Sequence, residues 1–120
     1  MLAQNARVTT ADDYRAAVRR GARFTVPTGV VYVRRTGSDD TRFGFIVSKQ
    51  VGNAVVRNRI RRRLKAACYA VRVDVAPGAD VVIRALPNAA TASYAQLSND
   101  LGKALIKSSL LTSSSSIESS

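Results

Sequence analysis

At 120 residues and 46% hydrophobic composition, the chain has the material for one compact domain with a single core, and too little for two. Nineteen Lys and Arg stand against eight Asp and Glu with no His, a formal charge of +11 whose self-repulsion calls for a polyanionic partner, nucleic acid first. A lone cysteine, Cys68, excludes an internal disulfide and, without histidine, the common zinc ligand sets; the absence of a long apolar run or an export signal points to a cytoplasmic protein with no membrane partner.

The first predicted element is a helix between Thr10 and Gly21. Thr10 serves as N-cap, Asp12 and Asp13 occupy the first turn, and Arg19 and Arg20 the last. Tyr14, Ala17 and Val18 share one face, either core or the wall of a groove. Two strand-like runs follow at 30–35 and 42–48, separated by Gly37-Ser38-Asp39-Asp40, which suggests an antiparallel hairpin with a long loop. Alternation puts Phe43, Phe45 and Val47 on one face of the second run.

A long helix is expected from about Gly52-Asn53 to Val73, with Val56, Ile60, Leu64, Ala67 and Val71 as its apolar stripe. Pro77-Gly78 turns the chain into a strand at 79–85, whose Val81-Val82-Ile83 centre reads as covered on both faces, and Pro87 ends it. A third helix opens at Ser93, where Ser93 and Gln96 imitate a capping box, with Tyr94, Leu97, Leu101 and Leu105 on its inner side. Residues 1–107 form the predicted domain and 108–120 a Ser-rich disordered tail. Cys68 is expected to be a small core residue.

The charge is local. Between Thr41 and Val73 there is no Asp or Glu, while Arg42, Lys49, Arg57, Arg59, Arg61, Arg62, Arg63, Lys65 and Arg72 all fall there. At about 100° per residue, Arg57, Arg61, Lys65 and Arg72 form one flank of the long helix, Asn58 and Arg62 lie opposite Ile60, and Arg59 and Arg63 form the other flank. A solvated helix face normally mixes signs to make i,i+4 pairs; like charges at that spacing cost about 0.2–0.5 kcal/mol each. A polyanion accounts for that repulsion, and guanidinium groups suit phosphate.

Across 48–64 the run Ser-Lys-Gln-Val-Gly-Asn-Ala-Val-Val-Arg-Asn-Arg-Ile-Arg-Arg-Arg-Leu closely resembles the signature of the bacterial ribonuclease P protein subunit, and the similarity extends from about Arg7 to Lys107. The resemblance implies an α+β fold, a mixed sheet of about four strands packed with three helices, and the basic helix in a left-handed crossover, against the usual right-handed rule. It implies assembly with a catalytic RNA that uses Mg²⁺, bound mainly by the RNA, to cleave the 5′ leader from precursor tRNA, with no catalytic side chain and no protein partner required. Carried over by position, Arg57, Asn58, Arg59, Arg61 and Arg62, supported by Lys49 and Asn53, would contact the RNA. Tyr14, Val18 and Tyr32, with Phe43 and Ser48, would line a leader-binding cleft; family members often carry an aromatic where this chain has Val18. Two other readings compete. A ribosomal-type RNA-binding protein would share the charge and the small α/β fold. A nuclease acting alone, with Mg²⁺ on Asp12-Asp13 or Asp39-Asp40, lacks a histidine base and the right geometry. A nuclear-targeting role for the Arg-rich run has no support elsewhere in the chain.

Overall fold

A computed structural model describes residues 6–112. The element order is α1 (Ala11–Arg20), β1 (Ala22–Val26), β2 (Gly29–Arg35), β3 (Arg42–Ile46), α2 (Ala54–Val71), β4 (Ala79–Ala85), a 3₁₀ turn (Pro87–Thr91) and α3 (Tyr94–Lys107). This is the expected α+β arrangement of three helices and a four-stranded mixed sheet. The helices start where their caps dictate: Thr10, Asn53 and Ser93 each accept a hydrogen bond from the backbone N–H three residues on. Gln96 departs from the capping-box expectation, sending its amide to Asp100 at 3.1 Å.

The sheet order is β1-β2-β4-β3. β1 and β2 form an antiparallel hairpin closed at Val26 and Gly29, β2 pairs antiparallel with β4, and β3 pairs parallel with β4. The expected hairpin of β2 with β3 is therefore corrected: β4 lies between them, and α2 carries the crossover from β3 to its parallel neighbour. Turn residues between two strands report that the chain bends, not which strand it then pairs with. β1 had no strong signal, since Arg23 and Thr25 are exposed and leave only Phe24 and Val26 packing inward.

Two clusters form on opposite faces of the sheet. The larger joins Val31, Val33, Phe43, Val81 and Ile83 to Ile60, Leu64, Ala67 and Cys68 of α2 and to Leu97, Leu101 and Leu105 of α3. The smaller joins Val30, Tyr32 and Val82 to Ala17 of α1 and to Val8. β4 is thus buried on both faces, as its apolar run predicts. The stripe of α2 holds, with Val56 and Val71 packing at its ends, and burial pushes the Cys68 thiol upward, away from reactivity.

Two expectations fail in α3 and beyond it. Tyr94 is 41% exposed and belongs to the outer surface. The predicted tail starts too early: Leu110 is 1% exposed inside the main cluster, its carbonyl accepts from Ala76 N at 2.8 Å, and the Ser108 carbonyl accepts from Arg35 at 2.6 Å. One apolar side chain reaching the core is invisible to a periodicity argument, and the remainder of that tail lies outside the described residues.

Two buried carboxylates tie the layers together. Asp100 accepts from Thr28 N at 3.0 Å and Thr28 Oγ1 at 2.5 Å, fastening α3 to the β1–β2 turn. Asp80 accepts from Arg42 Nε and Nη2 at 2.9 and 2.8 Å across the β3–β4 pair, and Arg42 also reaches Asp13 of α1 at 3.2 Å.

Candidate nucleic-acid interface

α2 presents its cations unevenly. Arg62 and Asn58 point away from the core and are exposed, as the wheel predicts, and the side chains of Arg62, Lys49 and Lys65 make no hydrogen bond or ion pair among the described residues. Arg59 and Arg63, expected as a free flank, are partly buried and donate to the carbonyls of Ala90 and Ala92 at 3.1 and 2.8 Å, so they also hold the 3₁₀ turn against the helix. Arg57 donates to the Gly52 carbonyl at 3.2 Å and Arg61 to Val47 O at 3.3 Å. Asn53 caps α2 through Val56 N at 3.0 Å, a structural role that the expectation of RNA contact had not included.

The ion pairs among the described residues are Arg15–Asp12, Arg42–Asp13 and Arg42–Asp80. None involves α2. The Arg42 guanidinium is held more firmly protonated, first by its hydrogen bonds to Asp80. The Asp13 carboxyl is held below its ordinary value, by the Thr10 hydroxyl first and by Arg42 after it, against a push upward from burial.

Beside this surface a groove runs between α1 and the β3 edge. Tyr14 stands at its centre, flanked along α1 by Arg15, Val18 and Arg19, with Ile46 on the sheet side. Toward α2 the lining passes to Phe45, Val47 and Arg61. The Tyr14 ring lies over Gly44, where a Cβ would meet its atoms at 2.7–2.9 Å, and its hydroxyl accepts from Phe45 N at 3.1 Å. The edge strand therefore gives a backbone donor to Tyr14, and the neighbouring Phe43 carbonyl accepts from Val8 N at 2.9 Å.

The structure brings Tyr14 and Val18 together, with Val18 36% exposed. Tyr32 lies beneath α1 in the same cluster but is 5% exposed, so its ring is packed and offers no open face. Phe43 is 2% exposed and packs in the main cluster with α2, because alternation along β3 sends Gly44 and Ile46 toward α1, yet it still lines an open pocket together with Tyr14, Phe45 and Arg61. Ser48 is exposed just beyond the end of β3. The groove also includes Arg15, Arg19, Phe45 and Ile46, none of which the sequence assigned to it; Ile46 stands on the α1 face of β3 by the same alternation that puts Phe43 and Phe45 on the other. Among the described residues no group of three or more His, Cys, Asp or Glu could hold a metal ion, and no helix is long and apolar enough to cross a membrane.

The family model described as Ribonuclease P matches residues 2–109. The ribonuclease P protein component of Clavibacter michiganensis subsp. michiganensis is 48% identical over 109 residues, covering 89% of this chain and 96% of its own. That of Rhodococcus erythropolis is 43% identical over 121 residues, covering 94% and 96%. Among solved structures, the Staphylococcus aureus RNase P protein superimposes with a TM-score of 0.81 at 25% identity, over 89% of this chain and 98% of that one. The Thermotoga maritima RNase P protein matches in fold, with a TM-score of 0.77 at 20% identity, over 84% and 96%.

Proposed function

Since the chain belongs to the ribonuclease P protein family, a component of an endoribonuclease, we propose that it binds a catalytic RNA through α2 and the 5′ leader of precursor tRNA through the α1 groove. The observation that carries this reading is the row of α2 cations without an acidic partner among the described residues. Protein-internal charge would be balanced by protein carboxylates, as it is at Arg42; charge kept for phosphate is left open. Arg62, Asn58 and Lys49 carry the most accessible contacts, while Arg57, Arg59 and Arg61 contribute donors beyond those spent on carbonyls. Asn53 and Arg63 set the helix in place.

In this reading both the Mg²⁺ and the cleavage belong to the RNA partner, as the resemblance implies; among the described residues no group of three or more His, Cys, Asp or Glu could hold a metal ion. The protein's work is positional. Tyr14 offers a ring for one unpaired base, and the apolar wall of Val18 and Ile46 excludes water beside it. Arg15 and Arg19 on the rim meet the phosphates that follow. A single-stranded leader fits such a groove, whereas mature tRNA has no segment to fill it. A cytoplasmic place of action accords with this role.

Reconstitution with the catalytic RNA tests the reading. Wild-type complex should bind precursor tRNA more tightly than mature tRNA, and Tyr14→Ala should reduce that preference by about 1–3 kcal/mol, the worth of one base stacked on an aromatic ring. Val18→Phe should enlarge it. A folded Tyr14→Ala complex with the wild-type ratio of dissociation constants would remove the groove from leader recognition, and cleavage by RNA-free protein would remove the division of labour.

A further inference from the structure

Two of the large apolar side chains exposed among the described residues stand together at the C-terminal end of α2, Tyr69 at 38% and Val73 at 75%. With Ala66 and Ala70, also exposed, they make an uncharged strip along the outer side of the helix and into the turn that follows. Tyr69 lies seven residues beyond Arg62, a separation that drifts by only about 20° around a helix, so both side chains leave from the same outer side. The helical rise sets them about 10 Å apart along the axis. Core packing explains none of this, because Leu64, Ala67 and Cys68 perform it on the opposite side. The Arg72 guanidinium lies over the Tyr69 ring, 3.6 Å from its centroid, and is held there by donating to the Tyr69 carbonyl at 2.5 Å. A helix end has use for that bond to its carbonyl, but not for an aromatic ring kept exposed beneath the arginine.

We infer that the Tyr69–Arg72 pair is a stacking platform for one unpaired nucleobase of the catalytic RNA, set beyond the phosphates that Arg62 meets. The inference rests on the reading of α2 as the RNA-binding helix and adds to it a contact of different chemistry. Aromatic rings and guanidinium planes both take bases by stacking, and only the loops and bulges of a folded RNA offer bases free to be stacked. The platform therefore selects an unpaired position, where the cations alone would accept any phosphate. Charge decides against a second copy of the chain as the occupant. Strip against strip, two protomers would bring Arg62, Lys65 and Arg72 of one toward those of the other, with Asp74 the sole acid from Thr41 to Ala79.

The test titrates the catalytic RNA into the whole protein across a salt series, with the melting temperature of each variant measured beside it. Tyr69→Ala should fold as the wild type does and weaken binding by about fivefold to a hundredfold, the worth of one base stacked on an aromatic ring. The loss should be the same at every salt concentration, because no phosphate contact goes with the ring. Tyr69→Phe should keep the wild-type affinity, since the ring face remains and only the hydroxyl is removed. Arg62→Ala, by contrast, should flatten the salt dependence. If it does so while Tyr69→Ala binds as the wild type, the platform is refuted and α2 remains the RNA-binding helix; if neither substitution weakens binding, both readings fall. A Tyr69→Ala loss that flattens the salt dependence in the same way would assign the effect to Arg72 as a phosphate ligand and overturn the stacking. The chain has no tryptophan, so Tyr69→Trp supplies a single fluorescent reporter whose emission the catalytic RNA should quench in a saturable way. Emission that responds to protein concentration and not to the RNA would give the strip to a second copy and overturn the inference.

Discussion

Gly44 matters for the side chain it lacks. Its missing Cβ leaves the place where the Tyr14 ring lies, and the ring's hydroxyl then meets the donor of the next residue. Gly44→Ala should displace Tyr14 and free Phe45 N–H, costing about 1 kcal/mol of stability. It should also reproduce the loss of precursor preference expected of Tyr14→Ala while leaving catalytic-RNA binding intact; chemical denaturation and paired tRNA titrations check the two halves. A second prediction concerns Asp13. Its folded-state carboxyl titrates below the ordinary value of 3.8, so the unfolded chain binds the proton more readily and stability rises with pH across that window. The contribution is complete above the unfolded value and is lost as pH falls through the depressed one. Asp13→Asn should therefore flatten the acid limb of a melting-temperature profile below about pH 4, and an unchanged limb would assign it to other carboxylates.

Among the elements, α2 divides its arginines between holding the fold and facing outward. Arg63→Ala should lower stability by about 1 kcal/mol, because the Ala92 carbonyl loses a charged donor. Arg62→Ala should leave the melting temperature unchanged and reduce the slope of log affinity against log salt by about 0.7–0.9 if one phosphate contact is lost. Equal effects of the two substitutions on both measurements would refute the division. The helix itself was legible in the sequence, its approximate start and its buried stripe included, because a 3.6-residue period is written within one segment, whereas the capping role of Asn53 was not read there. What each arginine touches was not, since Ala90 and Ala92 come from a turn about 30 residues away. Strand pairing was illegible for the same reason. The runs at 30–35 and 42–48 were recognisable as strands, yet only the double burial of β4 hinted that it sits between them. The groove followed suit: helical spacing put Tyr14 and Val18 on one face and only the resemblance made that face a groove wall, whereas the face that Phe43 presents depends on which side of the sheet α1 occupies.

For the molecule as a whole, the core closes only when the segment after α3 returns to it. Truncation after Lys107 removes Leu110 and the carbonyl that receives Ala76 N, and should destabilise the protein at least as much as Leu110→Ala, itself expected to cost about 2–5 kcal/mol. A truncated chain that melts at the wild-type temperature would restore the earlier domain boundary. The sheet order also has a consequence during translation. β2 ends at Arg35, but the strand that pairs with its open edge ends at Ala85, 50 residues later (85 − 35). At about 5–20 residues per second, the ribosome leaves the β1–β2 hairpin waiting for roughly 3–10 s with an unpaired, Val-rich edge. The nascent chain is most vulnerable to aggregation in that interval, and synonymous codon changes that slow elongation between β2 and β4 should lower the yield of soluble protein without altering a single residue of the product.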